Sequence, residues 1–131
     1  MDTFRRGGKT IHQTFMEGYD SRFGNGVAVF LGNIAYSLAS NAIICSGFPE
    51  DKVAKVLLLL SEGYREVNES QILDLLFEYK KNVSVDEWRI MASKRAASLF
   101  KVTILTGAVL GGASSEDLKR LEEAAVNIGY A

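Results

Sequence analysis

The sequence predicts an all-α fold, an antiparallel helical bundle, on three observations. Apolar residues recur at three- and four-residue steps along much of the chain, which is the spacing of one helix face. Helix start and stop signals, such as Pro49, Ser84 and Gly111, separate these stretches. No stretch shows a strand pattern of comparable strength. We therefore expect one helical domain over residues 1–131.

The composition bounds the function classes. With 131 residues, 47% hydrophobic and 24% charged, the chain has the make-up of one ordinary soluble domain that can bury a core. The net charge is −1 and the basic residues are scattered beyond Lys9, so nucleic acid is not an expected partner. Cys45, the single cysteine, lies in an apolar stretch; we expect it in the core of a cytoplasmic protein without a signal peptide.

The first third of the chain is expected to hold a loop and then a helix. Residues 18–26 carry Asp20, Gly24 and Asn25, which are typical of a loop. Residues 27–44 have no charge and approach the length of a membrane span. Asn33 and Asn41 would need partners in lipid, so a buried central helix without a membrane span is the prediction. The alternative is a membrane-inserted hairpin with residues 99–110, against which the charge of Lys101 argues.

The remaining helices are predicted from their ends. Pro49 followed by acidic residues marks a helix that reaches about Lys81, as one helix or as two broken near Asn68. Ser84 and Glu87 have the spacing of a capping box, which predicts a helix over residues 88–110. The glycines at 111 and 112 end that helix, and Ser114 is expected to cap a last one that runs through residue 128.

The N-terminal segment contains the strongest functional motif. Arg5 and Arg6 stand next to two glycines and are followed by Lys9 and by His12, the single histidine. Guanidinium groups match phosphate oxygens two at a time, and glycine permits close backbone approach to a ligand. The segment therefore predicts a diphosphate site, the alternative being a solvated basic arm.

Two acidic faces follow from helical spacing. Gln71, Asp74 and Glu78 share one face, which either lines a cavity or faces solvent. A second stripe contains Glu62, Glu66 and Glu69, and we expect it to be solvated.

The N-terminal motif resembles the trans-type isoprenyl diphosphate synthases, which make geranyl, farnesyl and geranylgeranyl diphosphate. In that family an Arg-Arg-Gly run with a Thr and a His follows the first aspartate-rich motif. Further matches keep the same order along the chain: residues 71–75 resemble the Gly-Gln-x-x-Asp-Leu helix, residues 88–100 the helix ending in Lys-Thr-Ala-x-Leu-Phe, residues 107–112 the Gly-Ala-x-x-Gly run, and residues 127–131 the stretch before the second aspartate-rich motif.

The resemblance implies a partial isoprenoid synthase fold and a role in condensing isopentenyl diphosphate with an allylic diphosphate. It implies that Arg5 contacts the allylic diphosphate and Arg6 the diphosphate of isopentenyl diphosphate. Gln71 and Asp74 would line the allylic pocket, with Arg95 in the place of the family's lysine. His12 would be structural or near the phosphate pocket.

The sequence also departs from the family pattern. Ala96 replaces a threonine, Asn33 replaces an aspartate, and neither aspartate-rich motif that holds Mg²⁺ is present. We therefore expect a synthase-like protein or a fragment of a synthase that is inactive alone, with no metal ligands of its own. The alternatives are a non-catalytic partner subunit and a helical interaction module. Exposed apolar faces would lead to a homo-oligomer or to pairing with a synthase subunit.

Overall fold

Six α-helices form most of the chain in the computed structural model, which describes residues 2–130 apart from the side chains of Ala96 and Ala97. This architecture confirms the all-α prediction. Contacts divide the chain into two compact units, Met1–Ser46 and Gly47–Ala131. Ala96, which replaces a threonine of the family pattern, has its side chain outside the described part of the structure.

The first unit begins with a short antiparallel hairpin. Strands β1 (Phe4–Arg5) and β2 (Gly8–Lys9) pair through Phe4 with Lys9 and Arg5 with Gly8. Arg6 and Gly7 form the connecting turn with φ values of 51° and 81°, the left-handed conformation at both positions that two-residue hairpin turns require. The sequence did not predict these strands, because two residues are too few to show an alternating pattern.

Helices α1 (Ile11–Met16) and α2 (Ser21–Ile44) complete this unit. The loop predicted over residues 18–26 was wrong, because α2 already begins at Ser21. The Asp20 Oδ1 atom accepts a hydrogen bond from the Phe23 backbone N–H at 2.8 Å and caps the helix. Gly24 is buried against α1, where an added Cβ would lie 2.4 Å from the His12 carbonyl oxygen. This glycine permits close helix packing and does not mark a turn.

The prediction that α2 is a buried central helix was also wrong for this chain. Phe30, Ile34 and Leu38 are 67%, 53% and 62% exposed, and Cys45, expected in the core, is exposed as well. Among the described residues of this unit, the six-residue α1 is the one other helix, and it is too short to cover a helix of 24 residues. By length and composition alone, Ser21–Ile44 could cross a membrane.

The second unit contains four helices and a π-helical segment. They are α3 (Glu50–Glu78), α4 (Val85–Ala92), the π segment (Ser93–Ala97), α5 (Ser98–Gly111) and α6 (Ser115–Tyr130). Helix α5 packs against both α3 and α6, and the core contains Val56, Met91, Leu105, Val109 and Ala125.

Helices α3 and α5 run antiparallel, as two contacts at opposite ends show. Near the start of α3, Lys52 Nζ donates to the Leu110 carbonyl oxygen at the end of α5, at 2.8 Å. Near the end of α3, Asp74 pairs with Arg95 of the π segment, which directly precedes α5. Midway, an added Cβ on Gly63 would lie 2.2 Å from Val102 Cγ2, so the two helices approach closely there.

Most helix ends lie where the sequence predicts them. Pro49 precedes α3, which continues unbroken past Asn68, and Ser84 and Glu87 form the expected capping box. Gly112, with φ of 81°, follows the end of α5, and Ser114 Oγ accepts from the Asp117 N–H at 3.1 Å to cap α6. The single helix predicted over residues 88–110 is interrupted by the π segment.

Candidate functional site

The hairpin presents two arginines to solvent, one at the end of β1 and one in the turn. Arg5 and Arg6 are both exposed, and within residues 2–130 neither side chain forms an ion pair or a side-chain hydrogen bond. Arg6 adopts the left-handed conformation, which costs a non-glycine residue roughly 1–2 kcal/mol. Asparagine or glycine would suit this turn better. The turn conformation therefore does not explain the choice of an arginine at position 6.

Hydrogen bonds fix the base of the hairpin beneath these arginines. The Thr10 hydroxyl donates to the carbonyl oxygens of Asp2 and Thr3 at 3.0 and 3.1 Å, and the Thr10 N–H donates to the Thr3 carbonyl oxygen at 3.0 Å. His12 is buried, and its Nε2 lies 3.4 Å from Thr10 Oγ1. Lys9 pairs with Glu17 at the end of α1. His12 thus contacts Thr10, the residue that holds the two ends of the hairpin together.

In the second unit the structure brings Asp74 and Arg95 together. The Arg95 Nη1 atom lies 2.9 Å from Asp74 Oδ2, and the two side chains are 48% and 42% exposed. Gln71 is one turn earlier on α3, exposed, and makes no side-chain hydrogen bond with the described residues. The carboxylate therefore holds the guanidinium against α3 while the neighbouring amide remains open to a ligand.

The second acidic stripe on α3 is not solvated as predicted. Glu66 accepts a hydrogen bond from Ser98, and Glu69 pairs with both Lys94 and Arg65. Of the three glutamates, Glu62 alone is exposed. The hydrogen bond from Lys94, followed by that from Arg65, holds the pKa of the Glu69 carboxyl below its ordinary value.

Sequence reasoning missed this contact although one signal was present. The stripe of carboxylates on α3 complements the adjacent basic pair Lys94–Arg95, and both basic residues lie in the π segment. In the structure Lys94 contacts Glu69 and Arg95 contacts Asp74. Single π turns inside helices frequently occur at functional sites.

A polar pocket of 270 Å³ adjoins this ion-pair network. Its lining includes two ammonium groups, one carboxylate and two hydroxyl groups. The residues are Glu66, Ser93, Lys94, Ser98, Lys101 and Val126. Lys101 also lies 3.7 Å from Glu122 of α6. Each formal charge in the pocket thus has a partner, which distinguishes these lysines from the unpaired arginines of the hairpin.

The described residues do not fit a magnesium site. Within residues 2–130, no group of three or more histidine, cysteine, aspartate or glutamate side chains is arranged to hold a metal ion. The carboxylates of Glu69 and Asp74 are each engaged by a basic side chain.

Comparisons with known proteins identify one family for this chain. The model of the polyprenyl synthetase family matches residues 1–131. The chain belongs to the polyprenyl synthetase family. Among curated members, it is 29% identical to the short chain isoprenyl diphosphate synthase of Methanothermobacter thermautotrophicus over 99% of this chain. It is 31% identical to the geranylgeranyl diphosphate synthase of Methanosarcina mazei over 93% of this chain.

Part of a solved geranylgeranyl pyrophosphate synthetase has the same helical arrangement as this chain. The crystal structure of geranylgeranyl pyrophosphate synthetase from Pyrococcus horikoshii Ot3 superposes on 98% of this chain with a TM-score of 0.87 and 30% identity. The chain spans 37% of the length of that structure and 37% of the Methanothermobacter relative. The alignment with this family confirms the resemblance given by the sequence motifs.

Proposed function

We propose that this chain supplies the central helical part of a prenyl diphosphate synthase, which condenses isopentenyl diphosphate with an allylic diphosphate. The observation that carries the proposal is the pair Arg5 and Arg6, exposed and without ion-pair partners among the described residues. The family match over residues 1–131 supports the same assignment.

The proposed role of the chain is electrostatic. Arg5 binds the allylic diphosphate and Arg6 the diphosphate of isopentenyl diphosphate, each through the two-pronged contact that guanidinium makes with phosphate oxygens. In the condensation, the allylic diphosphate leaves, the isopentenyl double bond attacks the resulting carbocation, and a proton is lost. Positive charge that is fixed in place before reaction stabilises the departing diphosphate without reorganisation.

The α3 face has a supporting role in this proposal. Asp74 fixes the position of Arg95 through the 2.9 Å ion pair, and Gln71 offers an amide donor one turn away. The ionic partner leaves Arg95 partly neutralised, so it contributes less to anion binding than the unpaired arginines of the hairpin.

We propose further that the isolated chain does not catalyse the condensation. The sequence has no aspartate-rich motif, and the described residues do not form a metal-binding cluster. In this family, aspartates hold the magnesium ions that neutralise the diphosphate. In our proposal these aspartates belong to another polypeptide segment.

A chimeric enzyme tests the proposed function. The region of the Methanothermobacter synthase that aligns with this chain is replaced by residues 1–131, and condensation of radiolabelled isopentenyl diphosphate with an allylic diphosphate is measured. We expect a folded, active chimera whose activity falls at least about tenfold with Arg5→Ala and Arg6→Ala together. A matched control removes the same charge from two other exposed arginines, Arg22→Ala and Arg89→Ala. A folded chimera without activity, or one unaffected by the hairpin substitutions, would contradict the proposal.

A second candidate is a non-catalytic partner subunit. It is favoured by Asn33, which stands where the family pattern has an aspartate, and by the exposed apolar face of α2. Mixing the chain with an intact synthase and measuring the masses of the species by light scattering distinguishes the two. A stable mixed complex whose mass does not change when Arg5 and Arg6 are replaced by alanine would support the role of a partner subunit. It would argue against the role of a catalytic part.

A further inference from the structure

A second pocket, with a mainly apolar lining, lies between α3, α5 and α6. Its volume is 250 Å³. Leu105 and Val109, both core residues of α5, form its floor, and Leu58, which is 60% exposed, stands at its wall. Leu59 and Leu118 complete the apolar lining. A concave apolar surface of this kind favours a hydrocarbon group over water.

The mouth of this pocket carries charge of mainly one sign. Lys55, Lys119 and Glu122 are its polar lining residues. Glu122 lies 3.7 Å from Lys101. Among the described residues, neither Lys55 nor Lys119 makes an ion pair or side-chain hydrogen bond, whereas Lys52, one turn before Lys55, donates to the carbonyl oxygen of Leu110. Two unpaired ammonium groups thus border an apolar cavity.

We propose that this pocket binds a free single-chain phosphate amphiphile, with the hydrocarbon chain in the cavity and the phosphate between Lys55 and Lys119. The two parts of the site complement the two parts of such a molecule. The chain displaces water from the leucine lining, and the phosphate receives charge-assisted hydrogen bonds from the two lysines. This site uses none of the residues assigned to the proposed condensation, so it can fail or succeed independently.

The test is titration of the full chain with octyl phosphate below its micelle concentration, followed by amide chemical shifts in NMR. We expect saturable binding with shifts at Leu58, Leu59 and Leu118. Octanol and inorganic phosphate, which each lack one half of the probe, are expected to bind at least about tenfold more weakly, the effect of losing roughly 1.4 kcal/mol. Shifts spread over other surfaces, or equal affinity for octanol, would overturn the proposal.

Charge reversal at the mouth provides the matched variants. Lys55→Glu with Lys119→Glu is expected to weaken octyl phosphate binding about tenfold or more, since two exposed ion pairs become repulsive. The control pair Lys81→Glu with Arg89→Glu changes the net charge equally at exposed positions outside the pocket, and binding should be unchanged. Equal weakening by both pairs would show non-specific attraction and overturn the proposal.

A third substitution separates a lost site from a lost fold. Leu58→Asn changes the exposed wall and leaves the core intact, so circular dichroism should be unchanged while octyl phosphate binding falls. Vesicles containing phosphatidic acid distinguish a membrane lipid from a free ligand. Retention of the chain on vesicles without binding of free octyl phosphate would assign the lysines to a membrane surface and contradict the proposed site.

Discussion

At the scale of single residues, two buried glycines mark where helices come closest. Gly24 lies against the backbone of α1, with the His12 carbonyl oxygen 2.4 Å from the position of an added Cβ. Gly63 lies against the side chain of Val102, which can move more easily than backbone. The backbone contact is therefore the stricter requirement, and Gly24 is the position at which a single methyl group should matter most in the first unit.

Replacing Gly24 by alanine is expected to destabilise the first unit by about 1–3 kcal/mol, because the new methyl group overlaps backbone atoms of α1. Gly26→Ala, two residues along the same helix, meets nothing within 4 Å and should be neutral or stabilising by up to about 1 kcal/mol. Hydrogen exchange of the α1 amides measures the difference locally. Equal protection in the two variants would contradict the packing described here.

The candidate site residues divide into those that a local motif singles out and those that it does not. Arg5 and Arg6 were singled out because two guanidinium groups beside glycines are an unusual local motif, and their role in binding diphosphate stays a prediction. Glu66 and Glu69 were not, since Lys94 in the π segment and Ser98 on α5 lie 25 and 32 residues further along the chain. Helical spacing alone shows that residues share a face, without showing what covers it.

At the scale of elements, helix ends were predictable where a capping side chain or proline marks them. Pro49, Ser84 and Ser114 each act within three residues of the position that they define, so the sequence contains the whole signal. The start of α2 was predicted wrongly because Gly24 and Gly26 resemble loop residues. The π segment has no composition signal of its own, and it packs against both α3 and α6.

The end of α5 depends on one lysine of α3. Lys52→Met removes the hydrogen bond from Nζ to the Leu110 carbonyl oxygen and is expected to cost about 1 kcal/mol of unfolding free energy, since an ammonium group is a good donor to the last carbonyls of a helix. Lys55→Met, one turn later, removes an ammonium group without such a partner and should change stability by less than about 0.5 kcal/mol. Urea denaturation of both variants measures this. A similar loss of unfolding free energy in both variants would contradict a stabilising role of the hydrogen bond from Lys52 to Leu110.

The capping box of α4 gives a pH dependence with a defined sign. The hydrogen bond from Lys80, with those from the backbone and side chain of Ser84, lowers the pKa of Glu87 to about 2. A carboxyl whose pKa is lowered by folding stabilises the folded state above its unfolded pKa, and this contribution is lost as the pH falls towards about 2. The stability difference between the native chain and Glu87→Gln should therefore be constant near neutral pH and shrink in acid. A stability difference between the native chain and Glu87→Gln that grew in acid would contradict the lowered pKa of Glu87.

At the scale of the whole molecule, α2 leaves an apolar face uncovered. Phe30, Ile34 and Leu38 recur at four-residue steps and are each more than half exposed. Contiguous exposed apolar surface of this kind favours association. We predict that the chain self-associates in solution through this face, as the sequence analysis expected for a homo-oligomer.

Light scattering after size-exclusion chromatography checks this prediction. Serine at positions 30, 34 and 38 together should reduce the measured mass towards 14.4 kDa, that of one chain. As a control, glutamine at the three polar positions 33, 37 and 41 of the same helix should leave the mass unchanged. A native chain that is monomeric at high concentration would contradict the prediction.

The fold as a whole was more predictable than the burial of its parts. Apolar periodicity and helix-end signals identified most of the helices. Burial could not be derived from periodicity, because an apolar helix face such as that of α2 is buried only where another element packs against it. The chain aligns with 37% of its relatives' length, so periodicity within it does not indicate which faces are covered by its own residues.

The central claim is that Arg5 and Arg6 of the N-terminal hairpin bind diphosphate, and calorimetric titration with inorganic diphosphate tests it most directly. We predict saturable binding by the native chain that weakens at least about tenfold when both arginines are replaced by alanine, since each contributes a charge-assisted contact. The control with Arg22→Ala and Arg89→Ala should retain the native affinity. Absence of saturable binding, or equal affinity in the hairpin variant, would contradict the account.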